Sequence, residues 1–365
     1  MTPQLTIHDL RIRAVSVPIA RPLVTRVVAV DRVPLLLIDV RTEEGVTGSA
    51  YLFGCLRRGP AYLAAVLRDI GELTRGQMVA PVGLYARVRH AFTLMGHGGI
   101  ATIAASGFDI ACWDALAKAA GLPLASLLGA VPQPLKAYNS NGLGLVEADE
   151  AAAEAEVLLG EGGFKAIKAR LGRATLDADL ACVRAIRAAV GAEVVLPVDF
   201  NQALTRVEAV KRARALDGEG VYWIEEPVVY DDLAGCAALR EEVATPIQLG
   251  ENFYGPRAAA DAIAARACDY MMFDVMRIGG VTGWLRAAAL ADSAGIEVSS
   301  HLMPEVSAHL LAATPTRHWL EYVDWANPIL AEPLEVRDGY VATPQSPGTG
   351  VAWDEDAVVR YQVQM

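Results

Sequence analysis

Asp199, Glu225, Glu251, Asp274 and His301 follow one another at intervals of 26, 26, 23 and 27 residues. Each lies at the end of a short apolar run: "AEVVLPVDFN", "VYWIEEP", "TPIQLGEN", "CDYMMFDVMRIGG" and "IEVSSHLM". A single acid at the end of a strand is commonly the N-cap of the next helix. Five polar residues in successive units, the first three all carboxylates, point instead to one shared rim. Converging carboxylates repel one another, and some stay protonated unless a cation lies between them. An all-oxygen donor set without cysteine suits a hard divalent ion, Mg²⁺ above all. The competing explanation is a hydrogen-bonded acid cluster without metal. Asp274 and His301 form a second constellation. A carboxylate beside an imidazole fixes its tautomer and raises its pKa, which prepares it to accept and return a proton.

"FKAIKARLG", residues 164–172, precedes this series. As a strand it turns Ile167, Ala169 and Leu171 to one face and Lys168 and Arg170 to the other. Two cations on one face need either solvent or negative charge opposite. At the shared rim, Mg²⁺, Lys168 and Arg170 carry four positive charges against three on Asp199, Glu225 and Glu251. One substrate carboxylate balances the set. Glu321, 20 residues after His301 in "HWLEYVDW", is either a capping residue or an acid donating to that carboxylate. A cation that binds a carboxylate acidifies the carbon beside it, and electrostatic stabilisation of the developing charge is usually the largest catalytic term. The expected chemistry is removal of a proton α to a carboxylate.

Such a rim needs elements that deliver one residue each. After "VPQP" (131–134) the chain alternates helix-like segments such as "EADEAAAEAEVLLGEGG" with the short apolar runs. Repeated helix–strand units imply a parallel sheet, and this many favour a closed barrel, whose active sites lie at the C-terminal ends of the strands. Upstream, "LTIHDLRIRAVSVPI" and "VPLLLIDVRTEEGVTGSAYLFG" read as strands, and residues 60–129 as helices. The expected organisation is an α+β unit over 1–130, an α/β barrel over 131–330, and a segment over 331–365 that returns to the first unit.

Composition narrows the partners. The chain has 365 residues and a net charge of −11 without a long basic run, which argues against nucleic acid. No basic, then apolar leader is visible, and no uninterrupted apolar run is long enough to span a bilayer, so no membrane is expected. Five scattered cysteines without C-x-x-C spacing fit a reducing cytoplasm.

The chain resembles mandelate racemase and its relatives in the enolase superfamily, nearly end to end. The resemblance is carried by "ASGFDIACWDALAKAAGLPLASLLG", "VDFNQ", "WIEEP", "LGENFYGP", "DVMRIGGVTGW", "SSHLMPEVSAHLLAATPTRHWLE" and "PGTGVAW". It implies a modified TIM barrel of (β/α)7β type under an α+β cap. It implies that Asp199, Glu225 and Glu251 hold Mg²⁺, that Asp274 and His301 work one face of the substrate, and that Lys168 and Glu321 hold its carboxylate. Asn201 and Ser140 are implied polar contacts. The cap loop "RPLVTRVVAVDRVP" supplies Thr25, Val27 and Val30, with Leu23, Val24 and Val28, around an apolar distal group, unless Arg21, Arg26 and Arg32 meet a second anion there. "FGCLRRGP" (53–60) and "MGHGGI" (95–100) are further candidate lining loops. The resemblance also implies a small-molecule carboxylate substrate and a symmetric homo-oligomer, an octamer among the expected assemblies. One position departs. The family motif is usually Lys-x-Lys, its second lysine serving as base on the opposite face; here Arg170 stands there. Arginine stays protonated at roughly pH 12 and below. Three expectations follow: a racemase or epimerase of 2-hydroxy acids, a dehydratase of hydroxy acids using His301 alone, or a catalytically silent binding protein on the same scaffold.

Overall fold

The computed structural model describes residues 4–365. The β-branched N-terminal stretch forms three antiparallel strands, β1 (Ile7–Val24), β2 (Ala29–Thr42) and β3 (Thr47–Phe53). Leu35, Leu36, Leu37 and Ile38 of β2 are all buried, as expected for a strand covered on both faces. Helices Gly59–Thr74, Pro81–Ala91 and Ile100–Ala120 complete the cap. Ile100–Ala120 is the one described helix long and apolar enough to cross a bilayer, but most of its apolar stretch is buried inside the protein. It is apolar on all sides because it packs on the cap sheet and the barrel at once. Two acids on it are spent on docking. Asp109 accepts the Thr282 N–H at 2.9 Å and the Thr282 hydroxyl at 2.6 Å. Asp114 accepts the N–H groups of Ser49 and Thr349.

Eight strands then make the barrel: β4 (Pro134–Asn139), β5 (Ala169–Arg170), β6 (Val198–Asp199), β7 (Ile224–Glu225), β8 (Ile247–Leu249), β9 (Tyr270–Asp274), β10 (Val298–His301) and β11 (Leu320–Tyr322). Helices Ala148–Gly160, Leu176–Val190, Arg206–Leu216, Leu233–Glu242, Pro256–Ala265, Gly280–Ser293 and Pro304–Ala312 stand between them. Strands β5 to β10 pair in parallel in chain order, and β11 pairs in parallel with β4. Single bridges Asn139–Ile167 and Val298–Arg317 close the two remaining gaps. The ring is a (β/α)7β barrel under an α+β cap, the fold class expected from the sequence.

The C-terminal segment divides its contacts. Strands β12 (Val336–Arg337) and β13 (Tyr340–Ala342) extend the barrel beside β4, whereas the last part of the chain returns to the cap: Trp353 donates to Asp39, Glu355 pairs with Arg13, and β14 (Gln362–Val363) pairs with β1.

The cap–barrel seam contains a histidine that must stay neutral. His309, fully buried on Pro304–Ala312, accepts the Ala125 N–H on Nδ1 at 3.0 Å. Burial pushes its pKa down to about 4. Below its ordinary value of 6.5 the unfolded chain takes up a proton that the folded chain refuses, so stability falls as pH drops from 6.5 toward about 4. Linkage over that interval is worth about 3 kcal/mol. In chemical denaturation at stepped pH, His309→Asn, whose Oδ1 can still accept the Ala125 N–H, is expected to lose less stability across this interval than the parent. Identical acid limbs in both proteins would refute the assignment.

Candidate active site

The parallel register sets Arg170, Asp199 and Glu225 side by side at the ends of β5, β6 and β7, and His301 beside Asp274 at the ends of β10 and β9. Glu251 follows β8 by two residues. Oxygens of Asp199, Glu225 and Glu251 lie within 4.8 Å of one another, and all three side chains are buried. Such a trio fits a hard divalent cation that keeps further positions for water or substrate oxygens. Burial pushes the Glu225 carboxyl up to about 8; Lys168 opposes the shift, and the Asp199 and Glu251 carboxylates add to it. A cation among these oxygens removes that penalty. Neighbouring amides brace the trio. Asn201 donates its backbone N–H to Asp199 Oδ1 at 2.7 Å and its Nδ2 to Asp199 Oδ2 at 3.0 Å. Its buried Oδ1 has no hydrogen-bond partner among the described residues, which leaves an acceptor at the mouth.

Lys168 is fully buried between the two halves of the site. Its Nζ lies 2.8 Å from Glu225, 2.9 Å from Glu321 and 3.4 Å from Asp199. Burial disfavours the ammonium, but Glu225 and Glu321 outweigh it and hold Lys168 above the usual lysine range. Glu321 is held well below the usual carboxylate range: burial raises it, yet Lys168 and His301 prevail. Its oxygens accept from the Leu302 N–H at 2.8 Å, the Ser140 hydroxyl at 2.7 Å and the Lys168 ammonium.

Arg170 is engaged through both terminal nitrogens. Its Nη1 donates to the carbonyls of Ser140 and Gly142, and its Nη2 to Ser140 Oγ, each at 2.8 Å. Ser140 is fully buried behind Arg170 and Glu321, and its hydroxyl links those two side chains.

Across the mouth, His301 Nδ1 lies 2.8 Å from Asp274 Oδ2, and Nε2 is turned toward Glu251 at 3.3 Å and Glu321 at 3.9 Å. Burial would lower the imidazole pKa, but Glu251, Glu321 and Asp274 raise it to about 9. Asp274 is itself held by the Met276 N–H at 2.7 Å and by Arg277 at 2.6 Å.

A cavity of about 340 Å³ lies over these groups. Its roof and far wall are apolar: Leu23, Val27, Val28 and Val30 from the cap hairpin, with Phe53, Leu56, Leu302, Val323 and Trp325. Phe53 and Trp325 meet edge to face at 5.4 Å. The hairpin is held down where the Leu145 N–H donates to the Val24 carbonyl at 2.7 Å. A Cβ at Gly144 would lie 2.6 Å from that carbonyl, so only glycine allows this approach. Val24 does not line the cavity and is 44% exposed. Thr25 lines it, but its hydroxyl is occupied by the turn, accepting from Val27 and Val28 N–H. The loop arginines do not serve as anion receptors there. Arg21 pairs with Glu161, Arg32 bonds Ser16, and Arg26 lines an outer cleft beside Gly172. Of the two glycine-containing loops, Phe53, Cys55 and Leu56 line the cavity, whereas His97 lies in a separate small pocket.

Sequence reasoning missed four polar lining residues, Gln202, Glu226, Asn252 and Arg277, and the apolar Leu302, Val323 and Trp325. Glu226 follows a metal-site candidate and by strand alternation should face outward. Its φ of 38° turns it back into the mouth, where Gln202 and Asn252 donate to it at 2.9 Å. The repeated acid in "WIEEP" was the signal.

Comparison with known proteins places this geometry in a family. Residues 7–129 match the mandelate racemase / muconate lactonizing enzyme N-terminal domain, and residues 150–357 match the enolase C-terminal domain-like family. The chain is 32% identical to L-talarate/galactarate dehydratase of Salmonella typhimurium over 345 residues, 94% of this chain and 86% of that protein. It is 48% identical to an enolase from alpha pretobacterium bal199 solved with bound magnesium, covering 98% of this chain and 100% of that one, at a TM-score of 0.96. It is 44% identical to an enolase from Bradyrhizobium complexed with magnesium and mandelic acid, covering 100% of both chains, again at 0.96. The chain belongs to the mandelate racemase and muconate lactonizing enzyme family of the enolase superfamily, and is an Mg²⁺-dependent enzyme of its isomerase or lyase classes.

Proposed function

We propose that this enzyme removes the α-proton of a 2-hydroxy carboxylate bearing an apolar distal group, working from the His301 face. The observation that carries the reading is the His301–Asp274 pair facing three buried acids across a cavity with an apolar roof. Asp199, Glu225 and Glu251 hold Mg²⁺. Bound Mg²⁺ supplies Lewis-acid neutralisation of the substrate carboxylate. Lys168 presents its ammonium to the same carboxylate, and Glu321, fixed by Ser140 and the Leu302 N–H, keeps that ammonium charged and in place. His301 takes the α-proton on Nε2 while Asp274 retains the proton on Nδ1. Where the β-carbon carries a hydroxyl, the same imidazolium returns its proton to that oxygen as the C–O bond breaks. Water leaves, and the enol becomes a 2-keto acid. Arg170, committed to the Ser140 and Gly142 carbonyls, supports proton transfer on one face only. The racemase reading draws its support from the apolar roof and from the mandelic acid bound by the Bradyrhizobium relative.

Turnover of a panel of 2-hydroxy acids with Mg²⁺ in D₂O separates the two. The one-face reading expects α-deuterium with retained configuration, or 2-keto acid where a β-hydroxyl is present. Inversion by the parent enzyme would transfer the assignment to the racemase. His301→Asn is expected to lower exchange by roughly 10²- to 10⁴-fold, and an unchanged rate would remove His301 from the mechanism. Ser140→Ala takes away one hydrogen bond to Glu321 and one from Arg170. It is expected to lower kcat by about tenfold with Mg²⁺ affinity, read by calorimetry, unchanged. A kcat equal to the parent's would show that the Ser140 bridge does not matter to turnover.

A further inference from the structure

Beneath the mouth the barrel interior is not uniformly apolar. Tyr138, Ala166, Trp223, Met272 and Trp319 form a buried cluster separate from the main core. Four buried polar atoms carried by or beside barrel strands have no hydrogen-bond partner among the described residues: the Tyr138 hydroxyl and Trp319 Nε1 of this cluster, and both Oε1 and Nε2 of Gln248. Tyr138 and Gln248 are fully buried, and Trp319 is 8% exposed. The register pairs Gln248 with Glu225, whose carboxylate lies inside the ring, so the Gln248 side chain also projects inward. Strand β4, which carries Tyr138, stands across the eight-membered ring from β8, which carries Gln248. Trp319 immediately precedes β11, the neighbour of β4. Tyr138 packs against Trp223 at 5.6 Å, and Lys168 Nζ lies 5.7 Å from the Tyr138 ring centre. An eight-stranded barrel is just wide enough for side chains to fill, and Ala166 contributes only a methyl group at this level.

We infer that the barrel lumen beneath Lys168 and Glu225 is a binding site for internal water, held by the Gln248 amide, the Tyr138 hydroxyl and Trp319 Nε1. Four unsatisfied buried polar atoms would consume much of a domain's net stability, whereas one or two waters, each making about three hydrogen bonds, satisfy them. The chemistry of the set selects the ligand. Indole N–H and amide NH₂ are donors, which disfavours a cation. The Glu225 carboxylate beside the site disfavours an anion. Amide oxygen and phenol hydroxyl accept as well as orient, so the set suits a neutral donor–acceptor the size of water. This inference does not depend on the proposed reaction.

A high-resolution crystal structure of the full Mg²⁺-loaded enzyme tests it. At least one ordered solvent peak is expected within hydrogen-bond distance of both Gln248 and Tyr138. Gln248 bonded to protein atoms instead, with no peak in the lumen, would overturn the proposal. In solution, water ¹⁷O relaxation dispersion counts long-lived internal waters. Gln248→Leu is expected to lose at least one relative to the parent, and an equal count overturns the proposal. Should Gln248→Leu fail to fold, the density in the parent decides alone.

Discussion

Asp199, Glu225 and Glu251 bring their oxygens within 4.8 Å while exposing no more than 8% of any one residue. At such spacing each pair of like charges costs about 4 kcal/mol even in a medium polarisable enough to mimic a protein surface. No arrangement of amides offsets that for three carboxylates, so positive charge must be delivered to the same few cubic ångströms. The barrel supplies it by adjacency. Strand β5 precedes β6 in chain order and neighbours it in the ring, and Lys168 therefore arrives beside Asp199 and Glu225 without a long reach. Mg²⁺ completes the balance from solution. A site built this way has its charge balance set by its metal, and the same fields that hold the Lys168 ammonium are the ones a substrate carboxylate enters.

Those fields act at close range only if water stays out, and this makes the seam between cap and barrel part of the site. Asp109 and Asp114, two acids on a largely apolar helix, fix the cap helix to Thr282 of the barrel and to Thr349 of the C-terminal segment. The hairpin roof is pinned by one backbone hydrogen bond across Gly144. The left-handed backbone conformations of Leu143, Asn201, Gln202, Glu226, Leu302 and Met303 fall at or just beyond the mouth ends of barrel strands. Strain of this kind persists where surrounding packing over-determines it. Here it re-aims side chains that regular strands would point away.

What could be read from the sequence follows from the same geometry. A βα unit has a nearly constant length, so residues at strand ends recur at a nearly constant interval, and Asp199, Glu225, Glu251, Asp274 and His301 could be placed on one rim from spacing alone. Glu226 could not, because a single positive φ reverses the alternation that sequence reasoning relies on. Arg277 escaped for a related reason: it reaches Asp274 and the Glu251 carbonyl from a turn, where no period applies. The division of the C-terminal segment between β4 and β1 depends on edge pairing, which leaves no mark in an apolar pattern. The hydropathy of the cap loop predicted the lining, yet it could not tell Val27, which covers the cavity, from Val24, which does not.

Arg170 shows why residue type alone under-determines a role. Its chemistry could be stated from the sequence, but its position depends on a loop after β4 whose carbonyls turn inward. A planar guanidinium can serve the Ser140 and Gly142 carbonyls with one nitrogen and Ser140 Oγ with the other. A lysine there would bring a single nitrogen to the same three acceptors, and could satisfy them only as an ammonium. Either side chain would therefore be engaged as a donor by the loop itself. For a residue here to act as a base, the loop carbonyls must first find other donors. The stereochemical reach of the site is thus set jointly by the side chain at 170 and by the backbone of residues 140–142, which lies outside the barrel strand that presents it.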